Sequence, residues 1–178
     1  MASNSANKQR AQGWRNQQPL ILGCRYRHGS AKIDEHRMII VGGRDADENA
    51  LSSCYIYDVR TQQSTPLPND LPEALTRCCV VANEKFVYVI GGRDVNDDYV
   101  NTVYRLCLKT FEWTTMAPMD TAREGCTAVL NENYIYVFGG CNDDDGGLSS
   151  TERYSVDNNT WEYLPSMPIV PRYGHCAI

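Results

Sequence analysis

The sequence predicts an all-β protein assembled from a repeated four-stranded unit, and three observations carry that prediction. The run Val87-Tyr88-Val89-Ile90 is apolar throughout and stops at Gly91-Gly92. A run this short, rich in β-branched and aromatic residues, reads as a strand buried on both faces. The same unit recurs as Met38-Ile39-Ile40-Val41-Gly42-Gly43 and as Tyr134-Ile135-Tyr136-Val137-Phe138-Gly139-Gly140, so the leading glycines Gly42, Gly91 and Gly139 are almost evenly spaced. Self-similarity at such a period marks a repeat architecture. No stretch of the chain shows a convincing helical period.

Each unit reads as four strands in order. A segment opening at Arg27, Arg77 or Arg123 supplies the first, and these arginines precede their glycine pairs by similar intervals. The apolar run is the second. After the glycines come a polar loop and a third strand at Ser53–Asp58, Thr102–Leu108 and Thr151–Val156. A turn then leads to Trp113 and Trp161, separated by the same interval as Gly91 and Gly139, with Ser64 at that place in the first unit. A loop containing Pro66, Pro68, Pro118, Pro165 and Pro168 closes the units, since proline ends strand pairing. Four antiparallel strands per repeat predict a β-propeller blade, whose second strand is apolar on both faces because a blade lies on each side.

These residues resemble Kelch repeats. The resemblance rests on the glycine pairs, on Tyr57 and Tyr154 before the turn, on the spacing from Tyr154 to Trp161, and on the following Pro and Met residues. It covers Arg27 to Ile178. Ser64 and Leu106 depart from the pattern at a tryptophan and a tyrosine position. The expected organisation is a leader at 1–13, an outer strand of an incomplete blade at 14–26, blades at 27–76, 77–122 and 123–171, and the first strand of a further blade at 172–178. A closed ring needs about 4–8 blades. The expectation is therefore a partial propeller: a truncated piece of a larger ring, or half of a pseudo-closed homodimer. Gly42, Gly43, Gly91, Gly92, Gly139, Gly140, Trp113, Trp161, Arg77, Arg123 and Arg172 are expected to be structural repeat positions.

Composition narrows the function. The chain has 178 residues, 42% hydrophobic, with a formal charge of −5, a mean hydropathy of −0.46 and a pI near 5.2. No apolar run is long enough to span a membrane, and the polar N-terminal stretch lacks a secretory core. An acidic chain without a basic stripe argues against nucleic-acid binding. The eight cysteines include no C-x-x-C pair and are expected to be structural thiols in a cytoplasmic protein.

Loops in a meander blade alternate between its two ends, so the loops after strands two and four share one face. That face carries Arg44, Asp45, Asp47, Glu48, Arg93, Asp94, Asp97, Asp98, Asp143, Asp144 and Asp145, together with Asp70, Glu73, Arg77, Asp120, Arg123 and Arg172. The total is twelve acids against five bases. Charges on the opposite face nearly cancel. A negative face is suited to a protein partner with a basic segment, although Asp also serves turns locally. The Kelch resemblance implies the converse, loop arginines that hold acidic peptides. It also implies substrate reception for a ubiquitin ligase or a cytoskeletal adaptor role.

Nothing in the sequence marks a catalytic centre. His28, His36 and His175 are not at metal-ligand spacing, and no zinc cluster, P-loop, dinucleotide fingerprint or G-x-S-x-G elbow occurs. Asp143-Asp144-Asp145 lacks the calcium-loop spacing. The expectation is a non-catalytic interaction module with no metal and no cofactor. The alternative implied by the resemblance is a fragment of a Kelch-type oxidase or sugar epimerase.

Overall fold

The computed structural model describes residues 23–168 and 171–174. The expected leader (1–13), most of the expected outer strand (14–22) and residues 175–178 of the expected further strand lie outside the described residues. Among the described residues every regular element is a strand, and three four-stranded antiparallel sheets account for most of them.

The first sheet runs β1 (Gly29–Lys32), β2 (Arg37–Val41), β3 (Cys54–Asp58) and β4 (Gln63–Pro66). The second runs β5 (Cys79–Ala82), β6 (Phe86–Arg93), β7 (Tyr99–Cys107) and β8 (Trp113–Thr115). The third begins with β9 (Thr127–Asn131) and β10 (Tyr134–Phe138). A small hairpin, β11 (Cys141–Asn142) with β12 (Gly146–Gly147), intervenes before β13 (Thr151–Ser155) and β14 (Thr160–Leu164) complete it. Strands are hydrogen-bonded in chain order within each sheet, so each is a simple meander. The short β11–β12 hairpin had no signature in the sequence, because its strands are two residues each, Cys-Asn and Gly-Gly, too short to show an alternating pattern.

Registers superimpose the sheets residue by residue. Tyr57 faces Ser64, Leu106 faces Trp113, and Tyr154 faces Trp161. Val89 faces Tyr104 and Val137 faces Glu152 in the same way. Alternation along a strand then sends one set of side chains to each neighbouring sheet. Ile39, Val41 and Cys54 of the first sheet meet Val87, Val89 and Leu106 of the second in one buried cluster. Tyr88, Ile90 and Val103 of the second meet Ile135, Val137 and Tyr154 of the third in another. Full burial of one such aliphatic chain stabilises by roughly 1.5–3 kcal/mol.

The second strand of the middle sheet, flanked on each side, is buried on both faces. Val87, Val89 and Ile90 are fully buried. In β10 burial alternates instead: Ile135 and Val137 are enclosed, whereas Tyr134, Tyr136 and Phe138 are half-buried on the side facing away from the second sheet. Arg153 lies over that aromatic row, 4.6 Å from the Tyr134 ring centre, and pairs with Glu162.

First strands pack side by side and define the inner edge of the stack. A Cβ on Gly29 would come within 2.4 Å of Val80 Cγ2, so only glycine allows β1 and β5 this approach. The glycine pairs serve a related purpose. Gly42, Gly91 and Gly139 have φ of +62°, +57° and +60°. Gly43, Gly92 and Gly140 donate their N–H to the carbonyls of Leu75, Arg123 and Arg172 at 2.8, 2.9 and 2.8 Å. Each pair therefore hooks its own sheet to the segment leading into the next.

Those three acceptors correct the expected arginine register. Leu75, Arg123 and Arg172 are equivalent, and Arg25 continues their series because its guanidinium reaches Gly42 O as that of Arg123 reaches Gly139 O. Arg27, Arg77, Gly125 and Gly174 form a second series, all at positive φ, linked by N–H bonds from Arg77 to Arg27 O, Gly125 to Arg77 O and Gly174 to Gly125 O. Arg77 thus stands two places beyond the position held by Arg123 and Arg172. Residues 25 and 26 lie against Gly42 and Arg44, where Tyr26 bridges Arg44.

Candidate functional site

The loops after strands two and four meet at one end of the stack. After β2, Asp45 Oδ1 accepts the N–H groups of Asp47 and Asn49 at 3.0 and 2.9 Å. After β6, Asp94 Oδ1 accepts those of Asn96 and Asp98 at 2.8 and 3.0 Å. Asn142 is the equivalent in the third unit, taking the Asp145 N–H at 2.8 Å. Short polar side chains that cap their own turn favour such loops. Hydrogen bonds from Asn49, side chain first, hold the Asp45 carboxyl below the usual range. Asp45 and Asp94 are therefore engaged in shaping the loops.

The expected loop arginines are engaged too. Arg44 Nη1 donates to Glu48 O at 2.9 Å, and Nη2 pairs with Asp97 Oδ1 of the next unit at 2.7 Å. Arg93 repeats the pattern one unit on: Nη1 to Asp97 O at 2.9 Å, and Nε to Glu124 Oε2 of the third unit at 2.6 Å. Its guanidinium also stacks 3.9 Å from the Tyr99 ring centre. Glu124 is 2% exposed and takes a second arginine, Arg77 Nη1 at 2.6 Å. A carboxylate so enclosed needs its cationic partners to offset desolvation. No local pattern signals that Glu124 is buried; its position next to Arg123 makes it look like a loop acid.

Asp47, Glu48, Asp98, Asp143, Asp144 and Asp145 remain. All six are exposed, and none forms an ion pair with a described residue. Among the expected site residues, the structure thus separates an inner set of arginines neutralised across unit boundaries from an outer rim of unpaired carboxylates. Glu73 on the same face accepts from Thr102 Oγ1 and Tyr104 Oη at 3.0 and 2.9 Å. Burial and that carboxylate push the Tyr104 phenol up to about 12.

Trp113 and Trp161 tie each fourth strand to the loop of the preceding unit, donating from Nε1 to Asn69 O at 3.2 Å and Ala117 O at 2.9 Å. Arg172 is exposed and takes part through its backbone. Among the described residues no group of three or more His, Cys, Asp or Glu could hold a metal ion, and no helix is long and apolar enough to cross a membrane. The described cysteines are free thiols. Burial pushes Cys54 and Cys78 up to about 12, which leaves them protonated and unreactive near neutral pH.

Meander sheets fanned from their first strands, hooked together by glycine pairs and presenting loops at one end, define a segment of β-propeller. The chain belongs to the Kelch-repeat family: the model described as the KLHDC2/KLHL20/DRC7 Kelch-repeats domain matches residues 6–178. Kelch-like protein 38 of Danio rerio is 37% identical over 87 residues, covering 46% of this chain and 15% of that protein. Kelch domain-containing protein 3 of Rattus norvegicus is 31% identical over 103 residues, 56% of this chain and 27% of that protein. Beta-scruin of Limulus polyphemus is 30% identical over 116 residues, 62% of this chain and 12% of that protein. The chain therefore spans 12–27% of the length of these relatives.

Proposed function

We propose that this chain is a non-catalytic protein-interaction module that engages a basic segment of a partner through the loops after strands two and four. The observation carrying this reading is the division of charge on that face. Arg44 and Arg93 are occupied by Asp97 and Glu124 at 2.7 and 2.6 Å, whereas the six outer carboxylates have no cation among the described residues. An acidic peptide would have to displace those partners. A basic one meets unpaired charge, and steering by such a rim raises association rates at low salt.

Membership of the Kelch family supports an adaptor setting in the cytoplasm, with substrate reception for a ubiquitin ligase or attachment to a cytoskeletal protein as the finer readings. The half-open aromatic face of β10 supports self-association of the isolated chain into a homodimer, and a monomer in light scattering would count against it.

Basic and acidic peptides of equal length, titrated at two salt concentrations, test the main reading. The basic peptide is expected to bind and to weaken with salt, and Asp143→Asn/Asp144→Asn is expected to weaken it further. Tighter binding of the acidic peptide overturns the proposal.

A further inference from the structure

The opposite end of the stack carries a feature that its nearly neutral charge conceals. A cavity of about 480 Å³ opens there between the first and second sheets. Arg37, at the start of β2, contributes to its wall, as do Lys85 in the β5–β6 turn and Lys109 just after β7. Its apolar surface comes from Phe86 and Leu108, and Glu84 is the one carboxylate in the lining. The two turns are held together by the N–H of Leu108 donating to Lys85 O at 2.9 Å. Three cations far apart in sequence are thus gathered on one concavity by the register of the sheets.

Their pairing decides what the cavity can take. Arg37 Nε is bound to Asp34 Oδ2 at 2.7 Å, which leaves its terminal nitrogens. Neither Lys85 nor Lys109 forms an ion pair with any described residue. Of the other acids of this end, Asp58 pairs with Arg60 at 3.2 Å and Asp157 accepts from Asn133 at 2.9 Å, whereas Glu84 shares the lining. The lining sets three cations against the one carboxylate of Glu84, so a monoanion would leave one positive charge of the lining unmatched and an uncharged apolar ligand would leave two. A phosphate monoester, close to a dianion at neutral pH and offering three acceptor oxygens, matches two free ammoniums beside one guanidinium. The volume falls in the range of small-ligand sites, and the Phe86–Leu108 surface suits an apolar or aromatic body.

We infer that the cavity between Arg37, Lys85 and Lys109 is a binding site for a phosphate monoester with an apolar body. It lies at the end of the stack opposite the acidic loops and stands or falls independently of what those loops bind. The phosphate arrives on a free small molecule or on a phosphorylated tyrosine side chain, and both present the same chemistry.

Titration calorimetry with phenyl phosphate, and with a short phosphotyrosine peptide, tests the site and separates the two sources. Saturable binding is expected for at least one, with phenol showing none. Lys85→Met/Lys109→Met retains the apolar stems and is expected to weaken affinity about tenfold or more, equivalent to about 1.4 kcal/mol. Glu84→Gln removes the opposing charge and is expected to tighten it several-fold. These residues are exposed at turns, so circular dichroism of each variant should match the parent. Absence of saturable binding, or binding indifferent to the lysine and Glu84 substitutions, overturns the inference.

Discussion

Arg123 and Glu152 form an ion pair at 2.5 Å with both side chains fully buried. The guanidinium also donates to Gly139 O and Ser150 Oγ at 2.7 and 3.1 Å. Glu152 in turn accepts the N–H groups of Asp120 and Thr121 at 2.8 and 3.2 Å. The other two units fill the equivalent place differently. In the first, Arg25 stacks on Tyr55 at 5.2 Å. In the second, Leu75 is fully buried and Tyr104 stands where Glu152 does. One backbone corner thus accommodates a cation–π contact, an apolar pair or an ion pair.

That equivalence makes a double substitution informative. Removing one member strands the other as a buried charge, which costs about 3–5 kcal/mol. Arg123→Leu and Glu152→Tyr are each expected to fall in that range by urea denaturation. The double variant removes both charges and places the second unit's Leu and Tyr at this corner, and it is expected to lose clearly less than the sum. Strict additivity would show that the two side chains do not act as a pair.

The same corner shows what the sequence could and could not disclose. The interval from Gly91 to Gly139 also relates Tyr88 to Tyr136, Arg105 to Arg153 and Trp113 to Trp161, and hydrophobic period with glycine spacing was enough to reveal the sheets. The arginines misled because two series, offset by two places, carry the same residue type. Arg77 stands closer to Gly91 than Arg123 does to Gly139, and that inequality was the available signal. Nothing local distinguishes the buried acids Glu124 and Glu152 from solvated ones, since their burial depends on a neighbouring sheet. The aspartates divided for a related reason: whether one caps a turn, as Asp45 does, or stays free, as Asp47 does, depends on loop geometry.

Glycine requirements differ sharply between two loops of this face. Gly91 and Gly146 share positive φ values of +57° and +66°. A Cβ on Gly91 would lie 2.5 Å from Arg123 O, whereas one on Gly146 meets nothing within 4 Å. Gly146→Ala is expected to cost about 1 kcal/mol for the backbone conformation alone. Gly91→Ala adds a clash with backbone and is expected to cost about 2–4 kcal/mol. Equal melting temperatures for the two variants would refute the close contact between units.

Acid should loosen the turn after β1 in a defined window. The His36 N–H and then the Arg37 side chain hold the Asp34 carboxyl down at about 2, below its ordinary 3.8. A depressed carboxyl contributes stability that is fully present above its unfolded value and is lost as pH falls through the folded one. The Asp34 contribution is therefore expected to be complete above about pH 4 and to vanish towards pH 2. Asp34→Asn should flatten that part of the stability profile, and an NMR midpoint for Asp34 near its ordinary value would contradict the assignment.

Tryptophan at the fourth strand acts as a clasp rather than a core residue. Trp161 is half-buried, packs 5.1 Å from the Tyr154 ring centre and donates to Ala117 O at 2.9 Å. Full burial would predict a loss of about 3–5 kcal/mol for replacement by alanine. With the ring only partly buried, Trp161→Ala is expected to cost about 2–3 kcal/mol. Trp161→Phe keeps an aromatic ring and removes only the donor, for about 1 kcal/mol. Trp113→Phe should cost less, because its bond to Asn69 O is longer, at 3.2 Å, and lies in solvent. The same ring stands in both places, so a larger loss at Trp113 than at Trp161 would mean that the bond across the unit boundary is not what these tryptophans contribute.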